Sequence, residues 1–514
     1  MPRRILTASL GLAIGALALS NDAHAIHLST DGRGQVLIYP YYTVNGGNAT
    51  LLSVVNTTVD VKALKVRFRE AMNGQEVWQF NLYLGPMDVW TGAVTGEPEG
   101  LDPVHASATK LQTSDSSCTV PQVPDEGQSF INFEYAANND DGGPYEDSRT
   151  RAGYIEIIEM GRLTGEFAAA ASRTETGVPT NCQRLVDAWH WGTQGQANGI
   201  WVDQPNEGLL PPTGGLYGGA EIVDVTNGTN LSYSADAIDG FYTLSSGSLH
   251  HSRYNVKPDL GSARMAEDGT VSAYVFDDGE LIRLDFDEST SQAPGLKAMS
   301  AVLMREWIYN EFEISPGFAT EWVVTFPTRG LHLAHPTQPG VGNDDREPFV
   351  AQYVGPAGYG EYFDMQGTGR EGDLHGLGPS IWIGIPPPPP PKLDHLSFSS
   401  QVIHFGDSTQ APQADVWSGG HVSEVLGAFQ TYYLERYIPW GYGLDVDRGT
   451  ARLQFGASGE TQLQDRNGQI IYGLPVLGFA AIRATLAGNG SALANFSVIH
   501  RHHMKTTVET ADGQ

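Results

Sequence analysis

Three groups of residues have the types and spacing to do chemistry. Phe405-Gly406-Asp407-Ser408 ends a β-prone run in a tight turn, where a serine could act as nucleophile beside a histidine and a carboxylate. His500-Arg501-His502-His503 and His250-His251 could ligate a transition metal if carboxylates converged on them. Asn138-Asn139-Asp140-Asp141-Gly142-Gly143, Asp277-Asp278-Gly279-Glu280 and Asn343-Asp344-Asp345 are oxygen-rich segments of the kind that binds calcium. None is complete. The only Asp-x-x-His, Asp187-Ala188-Trp189-His190, lies far upstream of Ser408. The acidic segments lack the alternating spacing and closing Glu of a calcium loop and read as turns. His500 and His502 would share one strand face, without a carboxylate partner in sequence. Gly214-Gly215-Leu216-Tyr217-Gly218-Gly219 follows prolines and opens a strand, which excludes a dinucleotide fingerprint. These readings predict no catalytic residue, no metal site, no cofactor and no enzyme activity.

The elements that carry these residues read as strands. Gly (61) and Pro (30) punctuate short apolar runs, the pattern of an all-β chain. Leu64, Val66 and Phe68 alternate with Lys65, Arg67 and Arg69, giving one apolar and one basic face. Asn73-Gly74 is the best hairpin signal, because a two-residue turn of this type needs positive φ at both positions. Trp78, Phe80, Leu82 and Leu84 line the return strand. Further strands are expected at 130–135, 153–160, 221–225, 322–326, 402–405, 452–455 and 495–499. Asn181 is placed to cap a short helix up to Trp189, and residues 297–314 are ambiguous between helix and strand. The expected fold is mainly β: an antiparallel β-sandwich, Ig-like or jelly-roll-like, with long loops and few short helices.

Residues 1–25 have the order of an export signal: Arg3 and Arg4, an apolar stretch from Ile5 to Leu19, then Ala23-His24-Ala25. Cleavage there would start the mature chain at Ile26 and place the protein outside the cytoplasm, secreted or at the cell surface. In that compartment Cys118 and Cys182 are expected to form one disulfide, two buried thiols being the alternative. No later run has the ~20 apolar residues of a membrane span. Thirty Lys and Arg against fifty-nine Asp and Glu give a net charge of −29, which argues against nucleic acid and anionic lipid as partners. Sequons occur at Asn48, Asn56, Asn227, Asn230, Asn489 and Asn495. The expected division is a signal (1–25), an apolar N-terminal segment (26–49), a main β-sandwich region (50–385), a polyproline linker or loop (386–391) and a C-terminal β region (392–514).

The segment after the signal carries an uninterrupted apolar run: Val36, Leu37, Ile38, Tyr39, Pro40, Tyr41, Tyr42, Thr43 and Val44. Such a strand has to be buried. It either pairs within its own subunit or is donated to an open sheet edge of the next, and head-to-tail donation builds filaments. Pro40 interrupts the ladder in either case. Gly34 to Val44, Val54-Val55-Asn56-Thr57-Thr58, Lys65 to Glu70, Phe80 to Leu84, Asp88-Val89-Trp90, Ala301 to Arg305, Trp322 to Thr328 and Gly473 to Phe479 together resemble an uncharacterised family of exported bacterial cell-surface proteins. The resemblance implies relatives that polymerise into extracellular fibrils through an N-terminal strand. The Phe405–Ser408 block resembles the first block of GDSL-type esterases, but the helices and downstream Asp-x-x-His of that family are missing. The leading expectation is a structural subunit of a surface fibril or coat whose partner is a second copy of itself. The alternatives are a secreted carbohydrate-binding or adhesive module, with Tyr432-Tyr433 and Trp440-Gly441-Tyr442 available for stacking on glycans, and a secreted hydrolase.

Overall fold

The computed structural model describes residues 25–514, leaving aside 97–108, 194–195, 243–249, 264–265, 267, 334–345, 351–360, 371–373, 377–393, 407–422, 429–430, 436–446, 456–460, 487–493 and 511–514. In chain order the first strands are β1 (His27–Leu28), β2 (Val36–Thr43), β3 (Asn48–Asn56), β4 (Val61–Glu70), β5 (Glu76–Leu84), β6 (Val89–Gly96), β7 (Thr109–Gln112), β8 (Cys118–Val120) and β9 (Gln128–Ser129). There follow β10 (Ala152–Leu163), helices α1 (Gly165–Ala171), α2 (Cys182–Ala188) and α3 (Ile200–Asp203), then β11 (Leu209–Leu210), β12 (Leu216–Asp224), β13 (Thr229–Ser234) and β14 (Asp236–Asp239). Next come β15 (Val271–Asp277), β16 (Glu280–Phe286), α4 (Pro294–Leu303), β17 (Met304–Arg305), β18 (Trp307–Glu313), β19 (Phe318–Thr325) and α5 (Arg329–His332). The remainder is β20 (Glu361–Gly369), β21 (Leu374–Gly376), β22 (Asp394–Leu396), β23 (Ser400–Gly406), β24 (Thr431–Glu435), β25 (Arg448–Phe455), β26 (Gln462–Gln464), β27 (Ile470–Tyr472), β28 (Leu474–Pro475), β29 (Leu477–Leu486), β30 (Ala494–Arg501), β31 (His503–Lys505) and β32 (Val508–Glu509).

Two sandwiches result. One sheet of the first runs β1-β14-β2-β10-β4-β5-β8, and the facing sheet runs β13-β12-β3-β6-β7-β9. Leu37, Leu64, Phe80 and Ile157 of one sheet meet Leu52, Val54, Trp90 and Leu216 of the other in a shared core. The second sandwich packs β21-β20-β25-β18-β31 against β24-β23-β19-β29-β30, around Ile308, Leu453, Trp322 and Ile403. The antiparallel β-sandwich expected from the sequence is therefore present, in two copies, with the β23–β24 pair parallel.

The sequence leaves residues 386–391 open between a linker and a loop within one domain. The run itself lies outside the described residues, but β22 and β25, after it, pair with β20, before it, and β23 and β29 flank β19. Strands from both sides of the prolines share one core.

β10 and β4 are buried almost throughout because both faces of their sheet are covered. The basic face of β4 does not look into solvent. A segment of residues 250–259 lies over it with its carbonyls inward. Lys65 Nζ donates to the carbonyls of Ser252 (2.8 Å), Asn255 (2.9 Å) and Lys257 (3.1 Å), and Arg67 donates to those of Val256 (2.8 Å) and Pro258 (3.2 Å). Burial and the neighbouring Arg67 pull the Lys65 amine down to about 7.

Two local expectations change. Residues 133–135 form a 3-10 turn instead of continuing a strand. Asn73-Gly74 is not a two-residue turn: only Gly74 has positive φ (71°), and the chain winds round the Glu70 carboxylate, which accepts the N–H groups of Met72, Asn73 and Gln75. The two-residue turn with both positions at positive φ occurs at Asp278 (44°) and Gly279 (90°), between paired Asp277 and Glu280. A Cβ on Gly74 would stand 2.7 Å from Tyr154 Oη. Gly74→Val is therefore expected to lower stability by about 1–3 kcal/mol, read as a lower urea midpoint. An unchanged midpoint would mean that the turn relaxes freely. Asn181 does cap α2, accepting from the Arg184 N–H, and residues 297–314 resolve into the end of α4 followed by β17 and β18.

Candidate functional site

Several of the sequence motifs that could have done chemistry are satisfied internally, and others lie outside the described residues. Asp407-Ser408, Asn343-Asp344-Asp345 and Trp440-Gly441-Tyr442 lie outside them. His500 and His502 do not share a face: the strand breaks between β30 and β31, leaving His500 exposed and His502 buried. His502 Nε2 meets the Val323 carbonyl at 2.9 Å, and burial holds its imidazole down at about 4. His250 is buried between Tyr83 Oη (3.1 Å) and the Pro205 carbonyl (2.7 Å), and burial lowers it to about 3. Asp141 is held by Arg149 (2.7 Å) and Asn73 (2.9 Å). The Gly214 turn does cradle an anion, but the anion is the chain's own Glu159. Its carboxylate accepts from Gly214 N (2.6 Å), Thr213 N (3.1 Å) and Lys62 Nζ (2.8 Å). Among the described residues no three His, Cys, Asp or Glu converge to hold a metal ion. Asn56, one of the sequon residues, is fully buried, its amide donating to the Asp60 and Gly85 carbonyls.

One pair with the geometry of a nucleophile and base escaped the sequence reading. Ser300 Oγ lies 2.8 Å from His332 Nε2 and 3.0 Å from Thr328 Oγ1. All three residues are fully buried, so no substrate can approach; the trio ties α4 to the turn of α5. Its members are scattered singly in the sequence, which gave no signal for them.

The expected disulfide is present. Cys118 of β8 and Cys182 of α2 are bridged, 64 residues apart. Closing a loop of that length stabilises the fold by about 4 kcal/mol in the chain-entropy model.

β2 (Val36–Thr43) holds the expected assembly residues, apart from Val44 just after it. It pairs within its own chain, antiparallel to β14 on one side and to β10 on the other. All eight residues are buried. Val36 and Ile38 face a core shared with α4, β15 and β16, while Leu37 and Tyr39 face the sandwich core. Tyr39 pairs with Ile155 and Tyr42 with Gly153, so Pro40 and Tyr41 together oppose the single residue Tyr154. Pro40 thus sits at a bulge, where its missing N–H is tolerated. The bulge turns Tyr41 into a third core, formed with Val323, Val402 and Phe479 of the second sandwich. Thr325 Oγ1 donates to the Pro40 carbonyl (2.6 Å), and Thr43 Oγ1 to that of Leu426 (3.1 Å). Residues 44–47 then return the chain to β3, with Gly46 (φ 61°) and Gly47 (φ 84°) left-handed.

Beside this junction Glu321 is buried and accepts from Ser423 Oγ, Val425 N and Leu426 N, each at 2.9 Å, and from His404 Nδ1 at 3.1 Å. Burial opposes both charges, but each partner outweighs it: His404 is raised above 6.5 and Glu321 lowered below 4.5. The His404 contribution is full below 6.5 and lost as pH climbs through its raised value. The Glu321 contribution is full above 4.5 and lost as pH falls through its lowered value. Stability is expected to fall as pH rises above 6.5 and through the raised His404 value, with a component that His404→Gln removes. Urea melts of both proteins across that range check it; identical pH profiles would contradict it.

A cleft of about 1080 Å³ opens between the solvent face of β3, β6, β12 and β13 and the β29–β30 side of the second sandwich. Pro40 lines it. Tyr233 stacks on Phe479 there (ring centroids 5.0 Å), its hydroxyl donating to the Tyr41 carbonyl. Asp236 and Arg501 form an ion pair across it.

Comparison with known proteins returns nothing: no family model matches the chain, and no curated protein or solved structure is similar to it.

Proposed function

We propose that this chain is an exported, non-catalytic structural protein of the cell surface, and that β2 is its assembly element. The observation that carries the reading is a strand from the start of the chain inserted between two others, buried along its whole length. Without β2 the sheet has a slot between β14 and β10, with unpaired main chain on both sides and apolar pockets on both faces. In the free subunit the chain's own β2 fills that slot. In a polymer, the β2 of a neighbour fills it with the same contacts. Exchange of an identical element is a low-cost route to association, because the difference between the two states reduces to the hinge and to mass action. The hinge is four residues long and carries two glycines. Exchange in one direction does not close on itself and gives filaments. Negative-stain microscopy of protein recovered from the medium tests the reading: filaments support it, and single-chain particles at every concentration contradict it.

A further inference from the structure

We infer that the cleft between the two sandwiches is a binding site for a neutral oligosaccharide. Its floor is a sheet face, ordered by register. Thr91, Ser53, Gly219 and Ser234 are successive cross-strand partners across β6, β3, β12 and β13, so three hydroxyl side chains stand in one row around a bare glycine. The next row is Ala93, Leu51, Glu221 and Ser232. Rows of small hydroxyls beside small apolar patches match the two surfaces of a sugar ring, its hydroxyl rim and its C–H face.

The same geometry rejects other partners. β3, β6 and β12 are paired on both sides, so a peptide cannot add to these three strands of the floor as a further strand. Arg501 is the only cation among the lining residues and is engaged by Asp236, while Glu221 is exposed on the floor of a chain carrying −29. An anionic ligand would meet net repulsion; an uncharged polyol would not. A volume of about 1080 Å³ lies at the upper limit of small-molecule sites, which suits several linked sugar units.

The test is affinity electrophoresis of the mature protein in gels containing dextran, laminarin, xylan or mannan, with polygalacturonate as the anionic probe. Ser234→Trp, on an exposed strand position, fills the cleft, and its thermal melt is compared with that of the parent protein to confirm folding. The expected result is retardation by at least one neutral polysaccharide, none by polygalacturonate, and at least tenfold weaker retardation of the folded variant. Thr91→Leu, which removes one hydroxyl of the row, serves as the second variant and is expected to weaken retardation in the same direction. No retardation by any neutral polymer, or equal retardation of both variants, would overturn the inference. So would sedimentation showing a dimer that Ser234→Trp dissociates, which would assign the cleft to a second copy of the chain.

Discussion

A chain lacking residues 26–44 is expected not to fold alone, and a peptide of that sequence is expected to restore it. Had β2 been a free donor segment, the shortened chain would be a stable acceptor with an open edge. In the single chain β2 pairs with its own β10 and β14, so removing it takes a strand out of the chain's own sheet. Val36, Leu37, Ile38, Tyr39, Tyr41 and Tyr42 are all buried, in three different cores. Burying each such side chain contributes about 1.5–3 kcal/mol, so their sum rivals the 5–15 kcal/mol that holds a typical domain together. Leu37→Asp and Ile38→Asp are expected to have the same effect as the deletion, since they place an unpaired carboxylate in one core or the other. Added peptide stabilises the shortened chain in proportion to the logarithm of its concentration over Kd. Circular dichroism with and without peptide is the measurement. A cooperative melt of the shortened chain by itself, or no response to the peptide, would contradict the role given to β2.

Lys62→Met is expected to cost about 3–5 kcal/mol, because it removes one member of a fully buried ion pair. Lys62 Nζ donates to Glu159 (2.8 Å), Thr213 Oγ1 (2.7 Å) and the Gly214 carbonyl (2.9 Å), so all three of its protons are used. Glu159 has no exposed surface, and burial already pushes its carboxyl up. Without the ammonium it has only the Thr213 and Gly214 amides left to balance the charge. The loss is expected to shrink at acid pH, where Glu159 takes up a proton, and to be partly recovered in Lys62→Met/Glu159→Gln. Urea unfolding of the three proteins decides it; a loss below about 1 kcal/mol for the single variant would show that the pair is idle.

Much of the sandwich was legible because its strands are written twice, in alternation and in turn residues. Leu64, Val66 and Phe68 point to the core as their spacing requires, and Asn181 caps the helix that carries Cys182. What was not legible depends on residues far apart in the chain. The basic stripe of β4 was legible as a charged face, but not the carbonyls of residues 250–259 that are laid over it. Asn73-Gly74 has the composition of a tight turn, but the Glu70 carboxylate just before it offers the backbone a different set of hydrogen bonds. Six prolines look like a boundary, yet β19 and β20 find their partners beyond them. The cleft is the hardest case: Ser53, Thr91 and Ser234 have no motif, and only the register of four strands puts them in a row. β2 was visible as a strand that must be buried, but its slot between β14 and β10 is set by residues as far along the chain as Ile238, the partner of Val36.

Exchange of β2 between subunits can be read on a single gel. Leu37 and Ile157 are cross-strand partners on β2 and β10, both in the sandwich core. In a chain carrying Leu37→Cys and Ile157→Cys, self-pairing forms the new disulfide within one molecule, and exchange forms it between two. Material assembled on the cell surface, oxidised and run without reductant, is predicted to give a ladder of covalent multiples that collapses to one band on reduction. A single monomer band carrying the intramolecular bond, from material that is nonetheless assembled, would contradict strand exchange as the means of assembly.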